Sequence, residues 1–446
     1  MRLLEALRAG SQSRIAFVGA GGKTTAMFSL ARQLAAPMIC LNTAHLSLEQ
    51  AKLADKHLIV QDLSDVERLF QSPLVGVTLI TGPGDGRGRL MGLHTAAAEK
   101  IKDHADEYHL PILVEADGSR MLPLKAPAAH EPPIPAWVEQ VVVVAGLSAL
   151  GKPLTGQWVY QPEVFAQLSG AQPGQPILTR HLVATLLHPQ GGLKNIPAGA
   201  HRAVLANQLD ACNLPEDDLY RELADLTREF GLVMAGSVQK TAAEQVKWRC
   251  EPVGGVVLAA GESIRMGTVK QLLPWRGKPL VRHVAEKALA AGLDPVVVVT
   301  GAAAEGIEKA VDGLPVELVY NRDWESGQAS SIRVGIQVLK ARCGAAVFLL
   351  SDMPQFPVSL IEAELEIHRR ESVEIVVPRV NGQRTNPVLF DRSTFAELVG
   401  LVGDTGGRAL FDRHPLRWLD LEDAQDLLDV DTPADYQRLV DEGEDG

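Results

Sequence analysis

The sequence predicts an α/β protein of two domains, each a mostly parallel sheet flanked by helices. Three observations lead there. Short apolar runs (Ile15-Ala-Phe-Val18, Met38–Leu41, Leu58–Val60, Val77–Ile80 and Ile112–Val114 in the first half, Val256–Ala260 in the second) alternate with helical patterns, the signature of a doubly wound sheet. Each half also carries a strand that breaks into a glycine-containing basic loop and then a helix. Finally, 446 residues exceed one typical domain, and 46% hydrophobic with 22% charged residues is ample for large cores. We place the first domain at 1–240, a linker at 241–252 and the second domain at 253–446.

Composition narrows the partners. A net charge of −12 argues against nucleic acid and anionic membranes, so a polyanionic substrate must be met by local cations or a metal. Cys40, Cys212, Cys250 and Cys343 are scattered with no CxxC pair, which fits a reducing compartment and disfavours zinc or iron–sulfur ligation. The N-terminal Met1–Arg8 stretch has a short amphipathic helix pattern without a signal-peptide apolar segment. No apolar run approaches the ~20 residues that span a bilayer. The expected location is the cytoplasm.

In the first domain the strand at Ile15 runs into Gly19-Ala-Gly21-Gly22-Lys23-Thr24-Thr25 and a helix to about Leu34. Helix-start amides, a lysine and a threonine hydroxyl suit a phosphate chain with Mg²⁺. The spacing departs from GxxxxGK[ST] and resembles the shorter loop of the Mur ligases; a plain helix N-cap is the bland alternative. Ile112-Leu-Val-Glu115-Ala-Asp117 then sets two carboxylates just past a strand's C-terminal end, where ligands bind in open α/β sheets. A Mg²⁺ role and a turn cap are both open for each. The Pro-rich stretch Pro123–Pro135 is expected to hold Lys125, His130 and Glu131 on a stiff surface loop. His130 is more simply a structural residue than a catalytic one.

In the second domain the strand Val256–Ala260 opens into a loop in which Leu258, Ala259, Ala260, Gly261, Ser263 and Gly267 are candidate nucleotide contacts and Arg265 and Lys270 supply positive charge; an ordinary strand–helix turn is the bland alternative. A helix follows from Leu280 to Ala291, then strands at Pro295–Thr300 and Val316–Val319. Asn321–Ser331 is a polar loop opening a helix, in which Ser330 or Ser331 is expected to cap and to donate to a ligand. Ala345-Ala-Val-Phe-Leu-Leu-Ser-Asp352-Met-Pro354 is an apolar strand ending in a carboxylate. Burying Asp352 there is costly unless it is paired or binds a cation, and a hard dication bridging triphosphate oxygens meets that requirement.

Leu258-Ala-Ala-Gly-Glu-Ser-Ile-Arg-Met-Gly267, with Lys270 and Leu272-Leu-Pro274, resembles the signature loop of the nucleotidyltransferases that mature the molybdenum cofactor, the MobA-like family; its Ala-Ala-Gly form resembles the cytidylyl branch. Asp352-Met-Pro354 (Asp-Gln-Pro is more usual), Arg384-Thr-Asn386-Pro-Val-Leu-Phe390, Asp404-Thr-Gly-Gly-Arg408 and Asp429-Val-Asp431-Thr-Pro follow in the family's order. The resemblance covers about residues 254–440. It implies a nucleotide-diphospho-sugar-transferase-like fold and transfer of CMP from CTP to the terminal phosphate of molybdenum–molybdopterin, giving molybdopterin cytosine dinucleotide and pyrophosphate. Arg265, Lys270 and Asp352 are the implied catalytic residues, with Mg²⁺ on Asp352 joined by Asp429 or Asp431. One of those two is expected to be a ligand and the other the cap of the last helix, with Asp431 or Thr432 at the cap and Pro433 inside it.

The first half, over about residues 10–240, is similar to the YqeC-like accessory family linked to selenium-dependent molybdenum hydroxylases, through its Gly-Ala-Gly-Gly-Lys-Thr-Thr, Glu115-Ala-Asp-Gly-Ser-Arg and Leu124-Lys-Ala-Pro segments. Asn42-Thr43-Ala44-His45 departs from that family's Thr-rich run. The resemblance implies an ATP- or GTP-handling, P-loop-like unit in the same cofactor pathway, with a molybdenum hydroxylase apo-enzyme as a further partner. Two rivals stay open: guanylyl or other nucleotidyl transfer, and a non-catalytic chaperone that holds the finished cofactor.

Overall fold

Runs of Val, Ile and Leu with no polar face to offer water become the central strands of two sheets, each covered on both sides. The computed structural model describes residues 1–34, 37–262, 266–371, 373–421 and 429–444. The chain divides into two compact units, Met1–Cys250 and Glu251–Gly446.

In the first unit β1 (Arg14–Gly19) feeds helix α1 (Lys23–Gln33), followed by β2 (Met38–Asn42), β3 (Lys56–Ile59), β4 (Val77–Thr81), helix α2 (Thr95–Glu107), β5 (Ile112–Glu115) and β6 (Gln140–Gly146). Helix α3 (Thr179–Leu187), β7 (His201–Asn207), β8 (Leu232–Gly236) and β9 (Val246–Cys250) complete it. The sheet order is β9-β8-β7-β6-β1-β5-β2-β4-β3, parallel except for β9 against β8. The five expected strands are all present; β6 to β9 add a second wing. Val141, Val142, Val204 and Val233 are fully buried there, each contributing roughly 1.5–3 kcal/mol of apolar transfer. The expected linker 241–252 is corrected: Val246–Cys250 is an edge strand of this sheet, because its buried Val246 and Trp248 complete the core.

In the second unit β10 (Val253–Ala259), helix α4 (Leu280–Ala290), β11 (Val296–Thr300), β12 (Val316–Tyr320), helix α5 (Gln328–Leu339) and β13 (Ala345–Leu350) come first. Helix α6 (Val358–Arg370), β14 (Ile375–Val380), β15 (Gln383–Arg384), β16 (Val388–Asp391), β17 (Leu416–Leu421) and helix α7 (Pro433–Glu444) follow. The order is β12-β11-β10-β13-β16-β14-β15, with β17 beside β14. β16 runs antiparallel to β13 and β14, so this sheet is mixed. Gly335 lets α5 lie close on β10: a Cβ there would stand 2.5 Å from the Val256 side chain.

Both sheets share one consequence of their strand order. The chain leaves β1 and β10 toward one side and later returns to the other, so a crevice opens at their C-terminal ends. Both glycine loops sit at that switch point.

Candidate active site

β10 is apolar until Ala259 and then ends, and the loop that follows is fixed from both sides. Gln271 Nε2 donates to the Gly261 carbonyl at 3.0 Å, and the Ala302 amide donates to the Ala260 carbonyl at 3.2 Å. Gly267 holds φ +65°, a left-handed turn that glycine adopts without strain. Lys270 starts a short 3₁₀ turn that aims its ammonium into the crevice. Ser263 and Arg265, expected in this loop, lie outside the described residues.

Beside β10, β13 delivers Asp352 past its C-terminal end. The Asp352 carbonyl accepts from the Val430 amide at 3.2 Å, which seats the 429–431 segment alongside. Carboxylate oxygens of Asp352, Asp429 and Asp431 lie within 4.8 Å of one another. Lys270 Nζ contacts Asp352 directly and reaches Asp431 Oδ1 at 2.7 Å. The electrostatics follow from crowding. Desolvation, then the neighbouring charges of Asp352 and Asp431, push Asp429 up to about 7 although it borders the open crevice, with Lys270 opposing. Desolvation works against the Lys270 charge, yet Asp352 and Asp431 outweigh it and hold its pKa above the ordinary lysine value. The donor set is three carboxylates and no sulfur, the set a hard divalent cation such as Mg²⁺ takes.

Of the two residues expected at the cap of α7, Thr432 takes it: its hydroxyl accepts from the Asp435 amide at 3.2 Å while Asp435 Oδ2 accepts from the Thr432 amide at 2.9 Å. The expectation that one of Asp429 and Asp431 is spent on the cap is corrected. Both aspartates are thereby left for the crevice. Nor do Ser330 and Ser331 cap α5, whose N-cap is Gly327 (φ +105°), with no side chain of its own to offer. Both are buried in its first turn, where Asn321 Nδ2 donates to Ser330 Oγ at 2.7 Å and Ser331 Oγ at 3.1 Å. They fix the polar loop, and their hydroxyls already have partners.

A cavity of about 420 Å³ reaches the C-terminal ends of β10 and β13 through Leu258 and Leu350, two residues before Asp352. Leu258, Phe348, Phe390 and Phe411 give it an apolar wall; Arg384, Asn386 and Arg408 give it a polar one. A Cβ on Gly407 would stand 2.4 Å from the Phe390 ring, so glycine there keeps the wall in place. The Arg384–Phe390 and Asp404–Arg408 segments stand out in the sequence, but local pattern gives their arginines no role. Their convergence depends on β15 and the loop before β17, which no local pattern reveals.

In the first unit the predicted residues also converge. Thr24 Oγ1 donates to Glu115 Oε2 at 2.7 Å, and Lys23 Nζ lies 3.3 Å from Asp117 and 3.8 Å from Glu115. Burial pushes the Glu115 carboxyl up, with Lys23 and Thr24 opposing. Gly19, Gly21 and Gly22 all have positive φ. Three loop amides are already engaged, however: Gly19 with Asp117 at 3.0 Å, Ala20 with the Val144 carbonyl and Gly21 with the Leu122 carbonyl. Lys125 and Glu131 are not on a surface loop, as expected from the prolines, but buried and paired at 2.9 Å, with Lys125 also 2.8 Å from Asp117. His130 is exposed.

A switch-point crevice lined by three carboxylates, a lysine and a glycine loop defines a nucleotidyltransferase-type domain. The family comparison agrees: residues 255–418 match the MobA-like NTP transferase domain, and residues 15–163 match the YqeC protein family. The chain belongs to the YqeC family through its first unit, being 32% identical over 246 residues to the uncharacterized protein YqeC of Escherichia coli K12, covering 52% of this chain and 92% of that one. Its second unit carries a MobA-like nucleotidyltransferase domain. It is 34% identical to the nicotine blue oxidoreductase of Paenarthrobacter nicotinovorans (42% of this chain, 96% of that protein). It is 23% identical to the molybdenum cofactor cytidylyltransferase of Escherichia coli K12 (41% and 92%). No described helix is long and apolar enough to cross a membrane.

Proposed function

We propose that the second unit transfers CMP from CTP to the terminal phosphate of molybdenum–molybdopterin, releasing pyrophosphate. The observation that carries this reading is the juxtaposition of Lys270, the Asp352–Asp429–Asp431 group and the arginine-rimmed cavity at one switch point. Phosphoryl-type transfer asks a protein for positioning and charge neutralisation more than covalent chemistry.

In this reading the Ala260–Gly261 turn receives the triphosphate, and Lys270 neutralises charge on the departing pyrophosphate. Asp352, Asp429 and Asp431 would hold Mg²⁺, which when bound supplies Lewis-acid neutralisation of phosphate oxygens. Arg384 and Arg408 hold the acceptor's anionic phosphate, and Phe348, Phe390 and Phe411 hold its ring system. The choice of CTP rests on the Ala-Ala-Gly form of the loop and on the likeness to a cytidylyltransferase. The likeness to a protein named as an oxidoreductase makes a direct assay necessary.

That assay measures pyrophosphate released with Mg²⁺, molybdenum–molybdopterin and each NTP in turn. Release with CTP, lost in Asp352→Ala and kept in Lys23→Ala, is the expected result. Preference for GTP would replace the cytidylyl reading by a guanylyl one. Absence of release with every NTP would overturn nucleotidyl transfer, and retained cofactor binding by Asp352→Ala would then favour a carrier.

A further inference from the structure

The first unit contains buried polar chemistry that nucleotidyl transfer leaves unused. Asn42, at the end of β2, pairs in register with Glu115 of β5, so both side chains leave the sheet on the same face. That face is covered by α1, whose Ala26, Met27 and Leu30 share a core with Cys40 and Leu113. Asn42 is 1% exposed. Its Nδ2 donates to the Ala44 carbonyl at 2.6 Å and the Met91 carbonyl at 3.3 Å, which fixes the amide's orientation. Its Oδ1 is left with no hydrogen-bond partner among the described residues. A buried acceptor in that state is unfavourable unless something electropositive meets it.

Its neighbours indicate what that is. Glu115 accepts from Thr24 Oγ1, and Thr24 Oγ1 accepts from Gln50 Nε2 at 2.7 Å. Carboxylate, hydroxyl and amide oxygen form an all-oxygen set, the kind a hard divalent cation prefers. Thr24 lies in the first turn of α1, an 11-residue helix whose N-cap, Gly22, offers no side-chain cap. The first-turn amides therefore face outward with the helix dipole behind them. Asn207 Nδ2 donates to the Gly21 carbonyl at 2.7 Å and braces the loop. Lys23 Nζ, held on the Gly19 carbonyl at 2.8 Å, lies 3.8 Å from Glu115, and Lys125 supplies a second buried cation on Asp117.

We propose that the first unit has its own site for the phosphate chain of a nucleoside triphosphate with a divalent cation. The cation sits on Thr24, Glu115 and Asn42, and the terminal phosphates lie against Lys23 and the start of α1. Because Gly19, Ala20 and Gly21 amides are engaged within the protein, the anion is received by the helix start and not by the whole loop. Asp117, anchored by the Gly19 amide and by Lys125, holds Lys23 when no phosphate is bound.

The test is calorimetric titration of the full chain carrying Asp352→Ala and Lys270→Ala, which removes a metal ligand and the triphosphate's cation from the other site, with the non-hydrolysable imido analogues of ATP and GTP in Mg²⁺. One binding site for at least one analogue is expected. Adding Lys23→Ala should weaken it at least tenfold. Adding Asn42→Ala should raise the Mg²⁺ concentration for half-saturation about tenfold; if thermal melting shows that variant unfolded, Thr24→Ala carries the same expectation. Manganese in place of magnesium should give a bound Mn²⁺ resonance signal that the variant loses. Binding of neither analogue, binding indifferent to Lys23→Ala, or a Mg²⁺ requirement unmoved by the folded variant would overturn the proposal. Pyrophosphate release depends on Asp352 and is read separately, so either conclusion can fail alone.

Discussion

Lys270 Nζ donates to Asp431 Oδ1 at 2.7 Å, joining two residues 161 positions apart. The same ammonium contacts Asp352, so the lysine stands where a cation among three carboxylates is needed. Taking Lys270 as the neutraliser of pyrophosphate, a bound metal must release it from the aspartates toward the phosphates. Lys270→Ala should then lower kcat for pyrophosphate release about 10²–10³-fold, the usual cost of removing one electrostatic stabiliser. Steady-state kinetics at saturating CTP would check this; an unchanged kcat would remove Lys270 from the machinery.

The cavity makes a second prediction. Arg384 and Arg408 stand at its rim, and each charge-assisted contact to an anion is worth about 1.5–3 kcal/mol. Replacing either by alanine should raise KM for the phosphorylated acceptor about 10–100-fold while leaving KM for CTP nearly unchanged. Equal effects on both substrates would place the acceptor elsewhere.

Gly407 tests the same wall by adding one methyl group. Its Cβ would stand 2.4 Å from the Phe390 ring, and that ring already packs edge-on against Phe348 with centroids 5.7 Å apart. Gly407→Ala must move the ring, an overpacking cost of about 1–3 kcal/mol. A lower melting temperature together with a raised acceptor KM is expected, and a thermal melt plus acceptor titration would show both.

Glu364 predicts a pH dependence of stability. It is fully buried on α6, and among the described residues neither carboxyl oxygen has a well-formed hydrogen bond. Desolvation pushes its pKa well above the ordinary glutamate value, with only the Leu389 backbone amide opposing. His368, one turn further on, pairs with Asp391 at 2.9 Å and is a separate system. With the folded pKa raised, the folded chain holds the Glu364 proton more tightly than the unfolded chain does. That stability is fully present below the unfolded pKa and is lost as pH rises toward the folded one, at up to about 1.4 kcal/mol per pH unit. Glu364→Gln should therefore raise the melting temperature at pH 8 more than at pH 5. Equal shifts at both would show that the carboxyl is not the cause.

Much of this was legible in the sequence because the signals are local. A strand that is apolar to its last residue must be buried, so Ile112–Val114, Val256–Ala260 and Ala345–Leu350 announce themselves, and the carboxylates at their ends, Glu115 and Asp352, stand out as candidate cation ligands, with a turn cap equally open for Glu115. Glycine loops with Lys23 and Lys270 are contiguous and need no long-range information. The expected linker failed because Trp248 and Val246 look ordinary in a short mixed segment, and their burial depends on β8 being beside them. Lys125 and Glu131 failed because proline predicts stiffness, not exposure.

The sequence alone determined the two α/β units, the two glycine loops and the strand-end carboxylates, since periodicity, apolar runs and loop residues act over a few positions. Only the tertiary structure decided that Asp429 and Asp431 both turn toward Asp352 while Thr432 takes the cap, and that Asn42 stands across from Glu115 with its oxygen unpartnered. Those facts depend on strand order and register, which bring together residues 73 to 79 positions apart. A sequence constrains such pairings only through the whole fold.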